Sequence, residues 1–172
     1  NKHSTKNLIM ARKVFTSFHY APDNWRANQI RNMGKIEGNG IVTSNKWEEV
    51  TNGGNKAIEE WIADNMHGKS CVVVFIGENT ANRKWINHEI EKAWNDGRGL
   101  VGIYIHNLKD SSGNQSNKGS NPFDGFTVDG KSLSSIVKCY NPPYSTSTYM
   151  YEHIESNIED WIEEAIEIRS KY

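Results

Sequence analysis

Trp85 and Glu89 are the residues in this sequence whose types and spacing most readily suggest chemistry. They are four apart in a stretch with helical apolar spacing, so an indole and a carboxylate would lie one above the other. Their helix follows a continuous apolar run, Cys71 to Ile76, closed by Gly77. Open α/β sheets place ligands just beyond the carboxyl ends of such buried strands. Other polar and aromatic residues gather at strand ends in the same reading. Phe18, His19 and Tyr20 follow a first strand, Asn79 and Asn82 lie in the turn before the helix, and Trp47 belongs to an intervening connection. The cluster holds one strong acid candidate rather than a pair. Ordinary O-glycoside hydrolysis calls for two carboxyl groups, one of which protonates the leaving oxygen. Release of nicotinamide from NAD needs only one, because nicotinamide departs as a neutral molecule without taking up a proton. An ionised carboxylate beside the ribose can stabilise oxocarbenium-like charge, and aromatic rings can stack on nicotinamide or adenine. By residue type alone, a glutamate on a surface helix is more often only a solvated helix former.

Several other chemistries lack their residues. The six histidines are scattered, and His88-Glu89 does not extend to H-E-x-x-H because position 92 is Lys. There is no C-x-x-C, so no metal site is expected. No P-loop pattern occurs, and Gly34, Gly38 and Gly40 do not form the G-x-G-x-x-G dinucleotide fingerprint. A G-x-S-x-G nucleophile elbow is also missing. A phosphoacceptor receiver domain would group acids after its first strand, where this chain has only Asp23. No resident cofactor is expected; NAD would enter as substrate.

The elements that must position these residues alternate between strand and helix. Lys13–Phe18 reads as a first strand, and a helix capped by Asp23 or Asn24 carries Trp25, Ile30 and Met33. Residues 40–43 form a short second strand, and a polar connection through Trp47 and Glu49 leads to Gly53-Gly54. A helix from Asn55 to Gly68 presents Ala57, Ile58, Trp61, Ile62 and Met66 as its apolar stripe. The Cys71–Ile76 strand and its helix from near Arg83 follow, with Ile86, Ile90 and Ala93 toward the sheet. Leu100–Ile105 is the next strand, 109–131 is irregular, and Ser134–Tyr140 is an edge strand halted by Pro142-Pro143. So long an irregular connection suggests a binding or lid loop as readily as a surface insertion. An amphipathic helix spans 150–170. This alternation predicts an α/β, flavodoxin-like three-layer sandwich of about five mostly parallel strands with helices on both faces.

At 172 residues the chain fits one domain, expected over 11–172. Residues 1–10 are expected to be a tail, polar and without a signal-peptide core, and Met10 is a candidate natural start. Net charge is −1, which does not favour nucleic acid as a partner. Residues 1–35 hold seven Lys/Arg and one acid, whereas 150–172 hold seven acids and two bases, so two oppositely charged faces should lie near each other. Two cysteines inside or beside apolar runs suit a cytoplasmic location, and no apolar stretch approaches a membrane span.

Three stretches together resemble TIR domains, in particular the TIR-like proteins of the bacterial Thoeris antiphage system. They are Lys13–Tyr20 with Trp25-Arg26, Ser70–Gly77 with Arg83–Ile90, and Leu100–His106 with Lys109-Asp110 and Asn121–Asp124. NAD-consuming TIR domains carry their catalytic glutamate four residues after a tryptophan, in a pattern like S-x-W-C-x-x-E. Trp85 and Glu89 keep that spacing, while Arg83 and Ile86 replace the serine and the cysteine. The resemblance implies a TIR-like fold with Glu89 catalytic and NAD bound between the first-strand loop and the Glu89 helix. Phe18 and Trp85 would wall that cleft, and His19, Tyr20, Trp47, Asn79 and Asn82 would contact substrate. It further implies nicotinamide release and a cyclic ADP-ribose isomer acting as a diffusible messenger to an effector protein. Self-association through TIR-like surfaces is the corresponding partner expectation. The rival expectation is a module without chemistry, used for TIR–TIR assembly or nucleotide sensing.

Overall fold

The computed structural model describes residues 11–38 and 44–172, with side chains from residue 48 onward in the second segment. Its main sheet is parallel throughout. The strands are β1 (Val14–Ser17), β2 (Cys71–Ile76), β3 (Gly99–Tyr104) and β6 (Lys138–Tyr140), in that spatial order. Register pairs Val14 with Cys71 and Cys71 with Gly99, so these three strands start level; β1 ends at Ser17, opposite Val74, while β2 and β3 run on to the paired Ile76 and Tyr104. The helices are α1 (Tyr20–Arg31), α2 (Ser44–Asn52), α3 (Gly54–Met66), α4 (Lys84–Asn95) and α5 (Ser147–Ser170).

Both faces of the sheet are apolar because side chains alternate along each strand. Cys71, Val73 and Phe75 point to a layer containing Ile30 of α1 and Ile154, Ile158 and Ile162 of α5. Val72, Val74 and Ile76 point the other way, toward Ile58, Ile62 and Met66 of α3 and Ile86, Ile90 and Ala93 of α4. All six residues of β2 and of β3 are buried, as a strand covered on both sides requires. At Gly99 a Cβ would stand 2.8 Å from the Ile166 backbone nitrogen, so α5 crosses β3 at a distance only glycine permits. The result is the expected three-layer α/β sandwich. The basic and acidic ends of the chain also meet, through Arg12–Glu163 and Lys35–Glu159.

Several local expectations are corrected. The 40–43 strand lies outside the described residues. Within them, the far edge of β1 is met by Glu37, in a parallel bridge with Lys13. The connection through Trp47 and Glu49 is helical, as α2. Helix α1 starts at Tyr20 with His19 as N-cap, not at Asp23 or Asn24. Pro22 is tolerated in the first turn because no intrahelical donor is needed there. Asp23 is freed to turn inward, where it is buried and paired with Arg26 at 2.9 Å. The last strand is shorter than Ser134–Tyr140, since Leu133–Ser135 form a 3-10 turn. Helix α5 begins at Ser147 rather than 150.

The 109–131 segment is built rather than structureless. It contains a 3-10 turn at Pro122–Gly125 and a small hairpin, β4 (Thr127–Val128) with β5 (Lys131–Ser132). Buried Arg26 holds its start, donating from Nε to the Leu108 carbonyl at 2.8 Å and from Nη2 to the Asn114 carbonyl at 2.9 Å. Asp110 folds the turn by accepting from the amides of Ser112 and Asn114. Further on, the Asn117 amide donates to Glu78, and Gly119 packs so close that a Cβ would lie 2.1 Å from the Gly77 carbonyl oxygen. The loop is thereby fixed against the end of β2. Among the described residues, no helix is long and apolar enough to cross a membrane.

Candidate active site

A cavity of about 860 Å³ opens beyond the carboxyl ends of β1 and β2, within the size range of ligand sites. Glu89 forms part of its inner wall. Ile86, Ile90 and Ala93 seat one face of α4 on the sheet, and Glu89 occupies the flank of that face nearest β1. It is only 7% exposed. The Ser17 hydroxyl, at the last residue of β1, donates to Glu89 Oε1 at 2.8 Å. Burial pushes the Glu89 carboxyl up to about 8, with the Ser17 hydrogen bond pulling the other way. A carboxyl held out of water against one hydroxyl can stabilise positive charge that develops beside it.

The neighbouring wall comes from the β1–α1 junction. Phe18 packs against Phe75 and Tyr20, with ring centroids 6.2 and 6.3 Å away, so its ring is braced by the core on one side. His19 is half-buried, and its Nδ1 has no hydrogen-bond partner among the described residues. Burial first, and the Arg83 charge second, lower its pKa, so the imidazole is neutral at pH 7. The opposite wall is the β2–α4 turn. Thr80 is buried and its Oγ1 accepts the Gly77 amide, closing the turn at the strand end. Asn82 adopts φ of 66°, a left-handed conformation that asparagine accepts more readily than most residues. Trp85 stands at the start of α4 with Lys84 Nζ 4.9 Å above its ring.

Of the residues singled out from sequence, Phe18, His19, Tyr20, Asn79, Asn82, Trp85 and Glu89 all border this one cavity. The side chain of Trp47 lies outside the described residues. Sequence reasoning did not assign Ser17, Trp61, Arg83 or Ser120, which the structure also brings to the site or to Glu89. A signal for Ser17 was present, since period-two alternation puts it on the same sheet face as Phe15, toward α4. Trp61 was read as core; it stacks edge-on against Phe15 and borders the cavity as well. Ser120 arrives from the pinned loop, a placement no local pattern announces. Among the described residues, no three His, Cys, Asp or Glu side chains converge to hold a metal ion.

The comparisons with known proteins agree with this architecture. A family model described as Thoeris protein ThsB, TIR-like domain, matches residues 15–110, which include β1, the β2–α4 turn and Glu89. A protein of Bacillus cereus (strain MSX-D12) named "Putative cyclic ADP-D-ribose synthase ThsB1" is 35% identical over 133 residues, covering 72% of this chain and 69% of its own length. With more than half of the chain inside the family model and a relative 35% identical over 72% of it, this chain belongs to the Thoeris ThsB TIR-like domain family.

Proposed function

We propose that this protein cleaves NAD at the bond between nicotinamide and ribose and converts the remainder to a cyclic ADP-ribose isomer. The observation that carries the reading is Glu89, buried at the cavity wall and hydrogen-bonded by Ser17 beside Phe18 and Trp85. Heterolysis sends the bonding pair to the nicotinamide nitrogen, which leaves neutral, and the ribosyl C1′ becomes cationic. Glu89 lies where that charge develops and acts once ionised, and no acid is required to protonate the leaving group. Phe18 and Trp85 supply flat apolar walls for the departing ring.

Two captures of the cation are open. A water molecule gives linear ADP-ribose and a proton; a nucleophile within the same molecule gives a cyclic product. The fixed 106–120 loop, which brings Ser120 to the cavity wall, favours the second by limiting water. The relative's name, a cyclic ADP-ribose synthase, supports the same fate. The product would act as a diffusible messenger to an effector protein in antiviral defence. The two free cysteines, with thiol pKa values raised by burial, suit a reducing cytoplasm.

The test is release of nicotinamide from NAD by purified protein, measured beside Glu89→Gln, with products separated by chromatography. Loss of a preorganised electrostatic stabiliser typically costs about a hundredfold or more in rate. Equal release by both proteins, or none from either under conditions that promote assembly, would favour the assembly or nucleotide-sensing module instead.

A further inference from the structure

The cavity has a carboxylate end and a cationic end. Arg83 is the residue immediately before α4 and borders the cavity on its exposed side. Glu89 lies six residues further on, about 9 Å by helical rise. Among the described residues the Arg83 guanidinium has no hydrogen-bond or ion-pair partner. His19, whose Nδ1 has no partner among the described residues, borders the same cavity, and the Arg83 charge helps to lower its pKa. Lys84 is differently employed, over the Trp85 ring. The acids that border the cavity are engaged too: Glu78 accepts the Asn117 amide and Glu89 the Ser17 hydroxyl. An exposed guanidinium without an ion-pair partner among the described residues therefore borders the cavity. The NAD-cleaving reading leaves one part of the substrate without a counter-charge, the dianionic diphosphate.

We propose that Arg83 anchors the diphosphate of NAD, holding the nicotinamide ribose against Glu89 and selecting the dinucleotide over phosphate-free nicotinamide ribosides. This rests on the function proposed above. The fork of a guanidinium matches two phosphate oxygens at once. The first turn of α4 carries no acidic residue, so the field of the helix end adds to the attraction rather than opposing it. Arg83 stands where the classical TIR pattern has serine, which can donate one neutral hydrogen bond but no charge.

The experiment compares NAD with nicotinamide riboside, which has the same scissile bond and pyridinium charge but no phosphate. For Arg83→Gln, KM for NAD should rise about tenfold or more, the usual scale for losing a hydrogen bond to a charged group. The kcat/KM for nicotinamide riboside should be unchanged, Arg83→Lys should recover part of the loss, and thermal stability should stay at the wild-type value. Equal losses on both substrates, or no loss on NAD, would overturn the anchor. A second measurement is independent of turnover. Calorimetric titration with ADP-ribose should show binding weakened about tenfold by Arg83→Gln. Unchanged ADP-ribose affinity, or no binding to wild type, overturns the anchor. Arg83-dependent ADP-ribose binding without any nicotinamide release would instead uphold the anchor and overturn only the cleavage reaction.

Discussion

Replacing Glu89 by glutamine should stabilise the protein, by an amount that grows with pH. The carboxyl is raised from 4.5 to about 8, the net of burial, which raises it, and the Ser17 hydrogen bond, which lowers it. A carboxyl with a folded pKa above its unfolded value holds its proton more tightly in the native state, so ionisation costs stability. Below pH 4.5 both states are protonated and the cost is absent. From there to about pH 8 the unfolded chain ionises while the native one keeps its proton, and stability falls as pH rises. Above pH 8 both are ionised and the cost is constant. At about 1.4 kcal/mol per pKa unit the ceiling is about 5 kcal/mol, and about 3 kcal/mol of it is present at pH 7. Glutamine keeps an oxygen for Ser17 and nearly the same shape, without the charge. In a domain of this size each kcal/mol moves Tm by about 2–4 °C. Its Tm advantage over wild type should therefore grow by on the order of 10 °C between pH 5 and pH 8.5. Thermal unfolding of both proteins across that range measures it. The shifted groups His19, His106 and Asp23 are common to both proteins and cancel in the difference. Tm curves that run parallel from pH 5 to 9 would refute the reasoning, because Glu89 would then titrate as a solvated carboxyl does.

Ser17→Ala removes the hydrogen bond that favours ionised Glu89, so the rise of kcat/KM with pH should move to higher pH. An unmoved pH profile would show that the hydroxyl does not tune the carboxylate. Binding of NAD near pH 7 should release a proton, because the pyridinium charge lowers the Glu89 pKa in the complex. Calorimetry in buffers of different ionisation enthalpy reads that release, and Glu89→Gln should abolish it. Arg26→Ala leaves Asp23 buried without its cation and the Leu108 and Asn114 carbonyls without their donor. A loss of about 3–5 kcal/mol in urea unfolding is expected, together with faster proteolysis of the 106–120 segment. A loss below 1 kcal/mol would mean that the loop is held by other contacts.

What could be read from sequence was local and periodic. The Cys71–Ile76 run identified a strand covered on both faces, and the Ile86, Ile90 and Ala93 spacing fixed which side of α4 meets the sheet. That in turn put Trp85 and Glu89 at the strand ends. What could not be read was long-range pairing. Asp23 after Pro22 has the look of an N-cap; its inward turn depends on Arg26 and on Gly77, where a Cβ would stand 2.1 Å from Asp23 Oδ2. The 109–131 segment looked structureless because its polar, glycine-rich residues carry no periodicity. Its anchors are elsewhere in the chain, at Arg26, 82 residues before Leu108, and at Glu78, 39 residues before Asn117.

In the proposed reaction, bond cleavage and capture of the cation would fall to different parts of the fold. Ser17, Phe18, Trp85 and Glu89 sit at the end of β1, just past it and on α4, inside the 15–110 span matched by the family model. Their positions follow from a sheet buried on both faces, which fixes the Ser17–Glu89 contact before substrate arrives and can sustain the cost of a buried carboxyl. Past that span lies Ser120 of the cavity wall, on a loop that Asn117 and Gly119 hold against Glu78 and Gly77; on the proposed reaction this loop would govern how water reaches the cation. It is held by hydrogen bonds and one close glycine contact rather than by an apolar core. Changes in that loop would therefore alter the ratio of cyclic to linear product while leaving the rate of nicotinamide release largely intact. Changes at Ser17 or Glu89 would slow release for either product alike.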